Sequence, residues 1–252
     1  VAKQGASVRL SGEAPAGTAP SRRERVREAT LREIKGIARR NLSEHGASGV
    51  SLRAIAREMG MTAPGLYRYF ASLDDLVVSL KADFYNELAE AVGSAEESLP
   101  PDDVDGRLHA ALRAFRTWAL ANRAEFALLF GPQYDRPRGS PAIEAGRRFA
   151  ATFFALFDRL LEERRFTPPD EDGISPALRR QLEAFAERTG FTTDNASNGA
   201  LHVMMSCWVR LYGLVCMEVF QHLSVVMDDM EPLFEAELRD ILEGLGVTYR
   251  AP

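Results

Sequence analysis

Only two cysteines, three lysines and four histidines occur in the 252 residues, and no uninterrupted apolar run is long. Each shortage excludes something. Two cysteines cannot staple a small extracellular domain, and if Cys207 and Cys216 share a helix, their separation turns them roughly 900°, onto opposite faces. They read as small buried hydrophobes of a reducing compartment. His45, His109, His202 and His222 are scattered, and none is followed by a second ligand three or four residues on, so no metal is expected. The longest apolar stretch, Phe149 to Phe157, is far shorter than the roughly 18 residues of a membrane span. Residues 1–20 are rich in Ala, Gly, Ser and Pro without the apolar core of a secretory signal, so the expected address is cytoplasmic, with no membrane partner. Asn41-Leu-Ser43 and Asn195-Ala-Ser197 have glycosylation spacing, a coincidence in a chain with that address. G-x-S-x-G, H-E-x-x-H, paired C-x-x-C and the glycine-rich phosphate loops are all missing, so no enzyme and no cofactor are expected.

What is present is a folded chain with an uneven charge. Apolar residues make up 46% and charged residues 27%. The formal net charge of −5 divides into 14 Lys and Arg against 8 Asp and Glu over residues 1–81, and 17 against 28 over residues 82–252. A basic N-terminal module on an acidic body suits a polyanion binder with a separate regulatory or assembly unit. The 28 arginines against three lysines fit a GC-rich genome better than a functional demand.

The apolar pattern is helical throughout, and no alternating strand pattern of useful length occurs, so the fold class is all-α. After a tail over 1–20, Ser21 with Glu24 matches a capping box. Leu31, Ile34, Ile37, Ala38 and Leu42 carry the first helix to a stop at Gly46. Ser51 is placed to cap a short helix to Met59, ended by Gly60 in a left-handed conformation, and Thr62 to cap another to Tyr69. Ser72 and Asp75 match a second capping box, opening a long helix to Leu99, before Pro100-Pro101. Further helices are expected over 104–121, 123–130, 141–165, 176–188, 194–223 and 230–244.

Two short helices joined by a glycine turn form a helix-turn-helix, whose second helix enters a major groove about 12 Å wide. Thr62, Ala63, Pro64 and Gly65 are small enough for close backbone approach to DNA. Tyr67, Arg68 and Tyr69 offer hydroxyl and guanidinium donors to phosphates or base edges, and Arg22, Arg23, Ser51 and Arg53 are further candidate contacts. Ile55, Ala56, Leu66 and Phe70 are core. For the arginines the bland alternative is a solvated surface. Lys3 or Arg9 in the tail is a candidate for a minor groove.

The run Ser51-Leu-Arg-Ala-Ile-Ala-Arg-Glu-Met-Gly-Met-Thr-Ala-Pro-Gly-Leu-Tyr-Arg-Tyr-Phe70, with Ser72 and Asp75-Leu76, resembles the DNA-binding domain of TetR/AcrR-family transcriptional regulators. The resemblance covers about 50 residues densely, from 31 to 80. One position departs from it: where the family usually carries a phosphate-contacting lysine, Leu73 stands, and Arg68 or Arg53 is the candidate replacement. The run from Trp208 through Tyr212-Gly213 to Glu218, then Asp229 and Pro232-Leu-Phe234, resembles a ligand-domain subclass named for a Trp-His-Gly pattern, with Tyr212 in the histidine place. The resemblance implies three parts: the tail over 1–20, a helix-turn-helix domain over 21–71, and an effector-binding and dimerisation domain over 72–252.

Helix 194–223 is apolar on two faces, which suggests its own core on one side and a partner subunit on the other. Leu178, Leu182 and Phe185, with Leu211, Val215 and Val219, are the expected dimer contacts. Phe115, Trp118, Phe126, Phe130, Phe149, Phe153, Phe154, Phe157, Met204, Met205 and Trp208 are candidates to line an apolar effector pocket, though an aromatic at helical spacing is individually more often plain core. The expected function is a homodimeric repressor released from a palindromic operator by a small hydrophobic effector. The alternatives are an activator or ligand-insensitive regulator on the same fold, or a helical enzyme or adaptor that kept a helix-turn-helix as scaffold.

Overall fold

The computed structural model describes residues 21–131, 140–189, 191 and 197–252. The tail, with Lys3 and Arg9, lies outside the described residues, as does Asn195. The described residues form ten α-helices and two 3₁₀ turns, Ala47–Gly49 and Glu171–Gly173. The helices are α1 Arg22–His45, α2 Leu52–Glu58, α3 Ala63–Tyr67, α4 Leu73–Glu97, α5 Val104–Ala121, α6 Arg123–Phe130, α7 Pro141–Glu162, α8 Pro176–Thr189, α9 Asn198–Val219 and α10 Glu231–Gly244.

The helix starts follow side-chain chemistry. At α1 the capping box is complete: the Glu24 backbone N–H donates to Ser21 Oγ at 3.3 Å, and the Ser21 N–H donates to Glu24 Oε2 at 2.7 Å. At α4 the Asp75 N–H donates to Ser72 Oγ, but the Asp75 carboxylate accepts from the Ser72 hydroxyl instead of its N–H. That cap is therefore not the reciprocal box expected, because aspartate is one methylene too short to reach back. Ser51 occupies its cap position without a side-chain bond, also against expectation. Ser175 caps α8, its hydroxyl accepting from the Leu178 N–H.

α1 packs on α2 and on α4, and the 25 residues of α4 run on into the C-terminal bundle along α5 and α7. Leu76, Leu80, Phe84, Leu88 and Val92 are buried along α4, and one apolar cluster continues from Ile34 to Val247 through them. No gap in the core separates the two ends of the molecule. Polar ties reinforce the junction: Lys35 pairs with Asp83 at 2.7 Å and, one turn on, Arg39 pairs with Glu87 at 2.8 Å. Arg39 also reaches α6, at 2.7 Å from Glu125 and 3.1 Å from Asn122.

One expectation needs correction. α9, Asn198–Val219, is by length and composition apolar enough to cross a membrane, with a mean hydropathy of 1.4. Scattered polar residues hid this from a search for uninterrupted runs. In the fold one face of α9 packs against α5, α8 and α10, so a core-facing helix with a second apolar face accounts for the composition.

Candidate functional site

The turn between α2 and α3 is fixed by backbone chemistry. Gly60 has φ +63°, the Met61 N–H donates to the Ala56 carbonyl at 2.8 Å and the Gly60 N–H to Arg57 at 3.2 Å. This pair of bonds closes a helix end that requires a left-handed residue. Thr62 Oγ1 then accepts from the Gly65 N–H, and a side chain at Gly65 would stand only 3.2 Å from that oxygen. Leu66 and Ile55, both fully buried, pin α3 to α2. The remaining face of α3 is turned outward: Thr62, Pro64, Tyr67 and Arg68 are exposed, while Ala63 and Gly65 are half-buried.

Tyr69 is placed differently from Tyr67. Its ring lies 5.4 Å beneath the Arg27 guanidinium and is half-buried, so it braces α3 against α1. Arg22, Arg23 and Arg53 are exposed, Ser51 is half-buried, and Leu73 stands exposed at the start of α4.

In the C-terminal bundle α4, α7, α8 and α9 enclose a cavity of about 400 Å³. Of the residues anticipated from the sequence, Phe130, Phe149, Phe153, Phe154, Phe157, Met204, Met205 and Trp208 line it. Phe115, Trp118 and Phe126 do not. Phe115 and Phe126 are fully buried behind the wall, with ring centroids 5.8 Å from Phe149 and 4.8 Å from Phe130 respectively, and Trp118 is buried in the same helix as Phe115. Phe115 and Phe126 belong to the layer that supports the lining rings. Sequence reasoning missed the α4 side, where Val78, Lys81 and Tyr85 form a second stripe beside the core positions Leu80, Phe84 and Leu88. It also missed Gly146, whose lack of a side chain leaves room beside the Tyr85 ring, and Arg147. Trp208 stacks on Tyr212 at 5.7 Å, and the Tyr212 hydroxyl donates to the Phe130 carbonyl at 2.9 Å, tying α9 to the end of α6. Cys207 lines the cavity as well; burial pushes its thiol up from the usual range, so it is a poor nucleophile.

The six residues anticipated at a subunit contact are mostly occupied within their own chain. Leu182, Leu211, Val215 and Val219 are buried, and Phe185 and Leu211 line the cavity, leaving Leu178 exposed. The physical reason is helical phase. On α9 the positions 201, 204, 211, 215 and 219 face the core, whereas Val209, Met217 and the following Phe220 are exposed, with open space above Gly213 between them.

A groove-sized recognition helix, an arginine-bearing N-terminal face and an apolar cavity reached by the helix that follows it define a DNA-binding regulator of the helix-turn-helix class. Comparison with known proteins gives the family. Residues 37–80 match the family described as bacterial regulatory proteins, tetR family, and residues 108–241 match the tetracyclin repressor-like C-terminal domain. The chain is 33% identical over 227 residues to the HTH-type transcriptional regulators Rv1816 of Mycobacterium tuberculosis and Mb1846 of Mycobacterium bovis, covering 86% of this chain and 93% of each relative. A crystal structure of the regulatory protein SCO4313 superposes with a TM-score of 0.68 at 30% identity, over 88% of this chain and 100% of that one. A protein from Rhodococcus sp. RHA1 shares the fold, with a TM-score of 0.65 at 19% identity over 86% and 95% of the two chains. The chain belongs to the TetR family of DNA-binding regulators, proteins that are not enzymes.

Proposed function

We propose that this chain is a cytoplasmic, homodimeric repressor that leaves a palindromic operator when a small apolar molecule fills the cavity of the C-terminal bundle. One observation carries the reading: α4 starts three residues after the buried Phe70 that closes the recognition motif, and the same helix walls the cavity with Val78, Lys81 and Tyr85. A ligand that fits better when α4 is displaced changes the spacing of two recognition helices, which must match half-sites about 34–36 Å apart. The operator affinity then falls by the ligand's differential binding, commonly ~1–3 kcal/mol.

Arg22, Arg23, Ser51, Arg53, Thr62 to Gly65, Tyr67 and Arg68 are the proposed DNA contacts, with Tyr69 holding the helix that presents them. The unit over 21–71 would read the operator, and that over 72–252 would bind effector and partner. Assignment to the Trp-His-Gly subclass rests on Trp208, Tyr212 and Gly213. The proposed subunit contact is the outer face of α9 with Leu178 of α8, in place of the buried stripe. Gly213→Arg adds a charge to open space, so it should yield a folded monomer in sedimentation; an unchanged dimer would reject that face.

Selection of bound fragments from random duplex DNA at two salt concentrations tests the operator. A two-fold-symmetric motif whose affinity falls steeply with salt supports the reading. Absence of any enriched motif from ligand-free protein would reject it.

A further inference from the structure

The outward face of α3 is poor in hydrogen-bonding side chains where the helix starts. From Thr62 to Leu66 the run Thr-Ala-Pro-Gly-Leu holds no amide, carboxylate or cationic side chain. Thr62 Oγ1 already accepts from the Gly65 N–H at 3.3 Å, and Pro64 has no N–H to give. What this turn offers is mainly apolar: Thr62 with its methyl and Pro64 with its ring are exposed, and Ala63 is half-buried between them. The donors come one turn later. Tyr67 and Arg68 stand three and four residues beyond Pro64, on the same side of the helix, and both are exposed. Leu66, fully buried, fixes the opposite side in the core.

In a helix-turn-helix the first residues of the second helix meet the base edges. Of the four bases only thymine carries a methyl in the major groove, and small apolar side chains read it by contact. We propose that each operator half-site is read through thymine methyls packed against Pro64 and the Thr62 methyl, while Tyr67 and Arg68 hold the flanking backbone. This rests on the regulator reading above and names the base feature that the same site selects. Pro64 suits such a contact because its ring is already fixed, so burying it costs no rotamer freedom. A proline in the first turn also serves simply to start a helix, where its missing N–H would be unbonded anyway. That structural role predicts no dependence of binding on any base methyl, which separates the two.

The probe is the symmetric duplex enriched from random DNA, with each thymine of one half-site replaced in turn by deoxyuridine. That exchange deletes the methyl and keeps every hydrogen-bonding group. Affinity of the full chain should fall about three-fold or more at the contacted thymines, the size of one buried methyl. The factor should be the same at both salt concentrations, since no charge changes. Thr62→Ser keeps the capping oxygen and deletes only a methyl, and Pro64→Ala keeps a good helix residue while shortening the apolar contact. Each variant should bind the thymine and uracil duplexes within about 1.5-fold of each other at the position its side chain reads. Because a variant is judged by the ratio of its affinities for two duplexes, a loss of folded protein cancels. Uracil tolerated at every thymine, a half-site with no thymine among its selected bases, or a penalty undiminished in both variants would overturn the assignment and leave the regulator reading standing. If no duplex is enriched at all, the regulator reading itself falls, and the thymine proposal with it.

Discussion

Arg39 is the side chain whose removal should reveal how firmly the N-terminal helices are held to the cavity-bearing bundle. From α1 its Nε donates to Glu125 at 2.7 Å and its terminal nitrogens to Glu87 at 2.8 Å and Asn122 at 3.1 Å, while the guanidinium lies 5.0 Å from the centre of the Phe84 ring. The partners differ in exposure: the Glu87 side chain is 40% exposed and that of Glu125 9%. Arg39→Met keeps most of the aliphatic stem but strands the Glu125 carboxylate. Removing one partner of a fully buried pair costs about 3–5 kcal/mol; the Arg39 side chain is 36% exposed, so water reaches the vacated space and about 2 kcal/mol is the reasonable figure. In a chain of this length that lowers Tm by roughly 4–8 °C. The double variant Arg39→Met/Glu125→Gln should recover about half, because the stranded charge is gone. Unfolding followed by circular dichroism at one fixed protein concentration, since the Tm of the proposed dimer would depend on concentration, measures both. A fall of under 1 °C, or a double variant no better than the single, would refute the assignment of Arg39 as the clasp between α1 and α6.

Three further outcomes are expected. Tyr67→Ala should weaken operator binding by about 1–3 kcal/mol and leave the oligomeric state unchanged in sedimentation, since the ring is 46% exposed and bears no core load; loss of the dimer would make Tyr67 structural. Gly146→Ala should raise Tm by roughly 2–4 °C, because a methyl there stands 3.5 Å from the Tyr85 ring, ordinary contact, and removes about 1 kcal/mol of helix penalty; a lower Tm would mean that the methyl does not fit beside the ring. His109 is buried, its Nδ1 at 2.7 Å from the Asp105 carbonyl and its Nε2 accepting from the Arg250 N–H at 3.0 Å, so the neutral ring bonds on both sides. Burial, joined by the Arg113 and Arg250 charges, lowers its pKa below the ordinary 6.5. The unfolded chain therefore binds the proton first: this stability is present above about pH 6.5 and is lost as pH falls through the folded value. Urea midpoints should drop across that interval in the parent and flatten in His109→Gln; parallel curves would exclude the histidine.

The local punctuation was readable from residues because it is decided within a few positions of the chain. Ser21 with Glu24, Thr62 before Gly65 and the positive φ at Gly60 each follow from who can donate to whom across three or four residues. The reading failed locally at two caps: Asp75 is too short for the reciprocal bond that Glu24 makes, and Ser51 forms no side-chain cap. The resemblance over residues 31–80 rested on the same short-range spacing, and the family match over 37–80 coincides with it.

Tertiary packing decided the rest. That Phe149 and Phe153 line a cavity while Phe115 and Phe126 support it from behind depends on how four helices are rotated, and an aromatic at helical spacing carries no mark of which layer it joins. The phase of α9 is the clearest case: with both faces apolar, periodicity offers two stripes, and only the packing of α5, α8 and α10 assigns Leu211, Val215 and Val219 to the chain's own core and leaves Val209, Met217 and Phe220 outside. Lys81, Arg147 and Arg188 lie on three helices far apart in sequence, so only the fold gathers them along one cavity. The sequence by itself determined the all-helical class, the helix-turn-helix and most helix ends, since hydrogen bonds between near neighbours suffice for them; the cavity and the outward face of α9 were decided by contacts between residues the chain order keeps far apart.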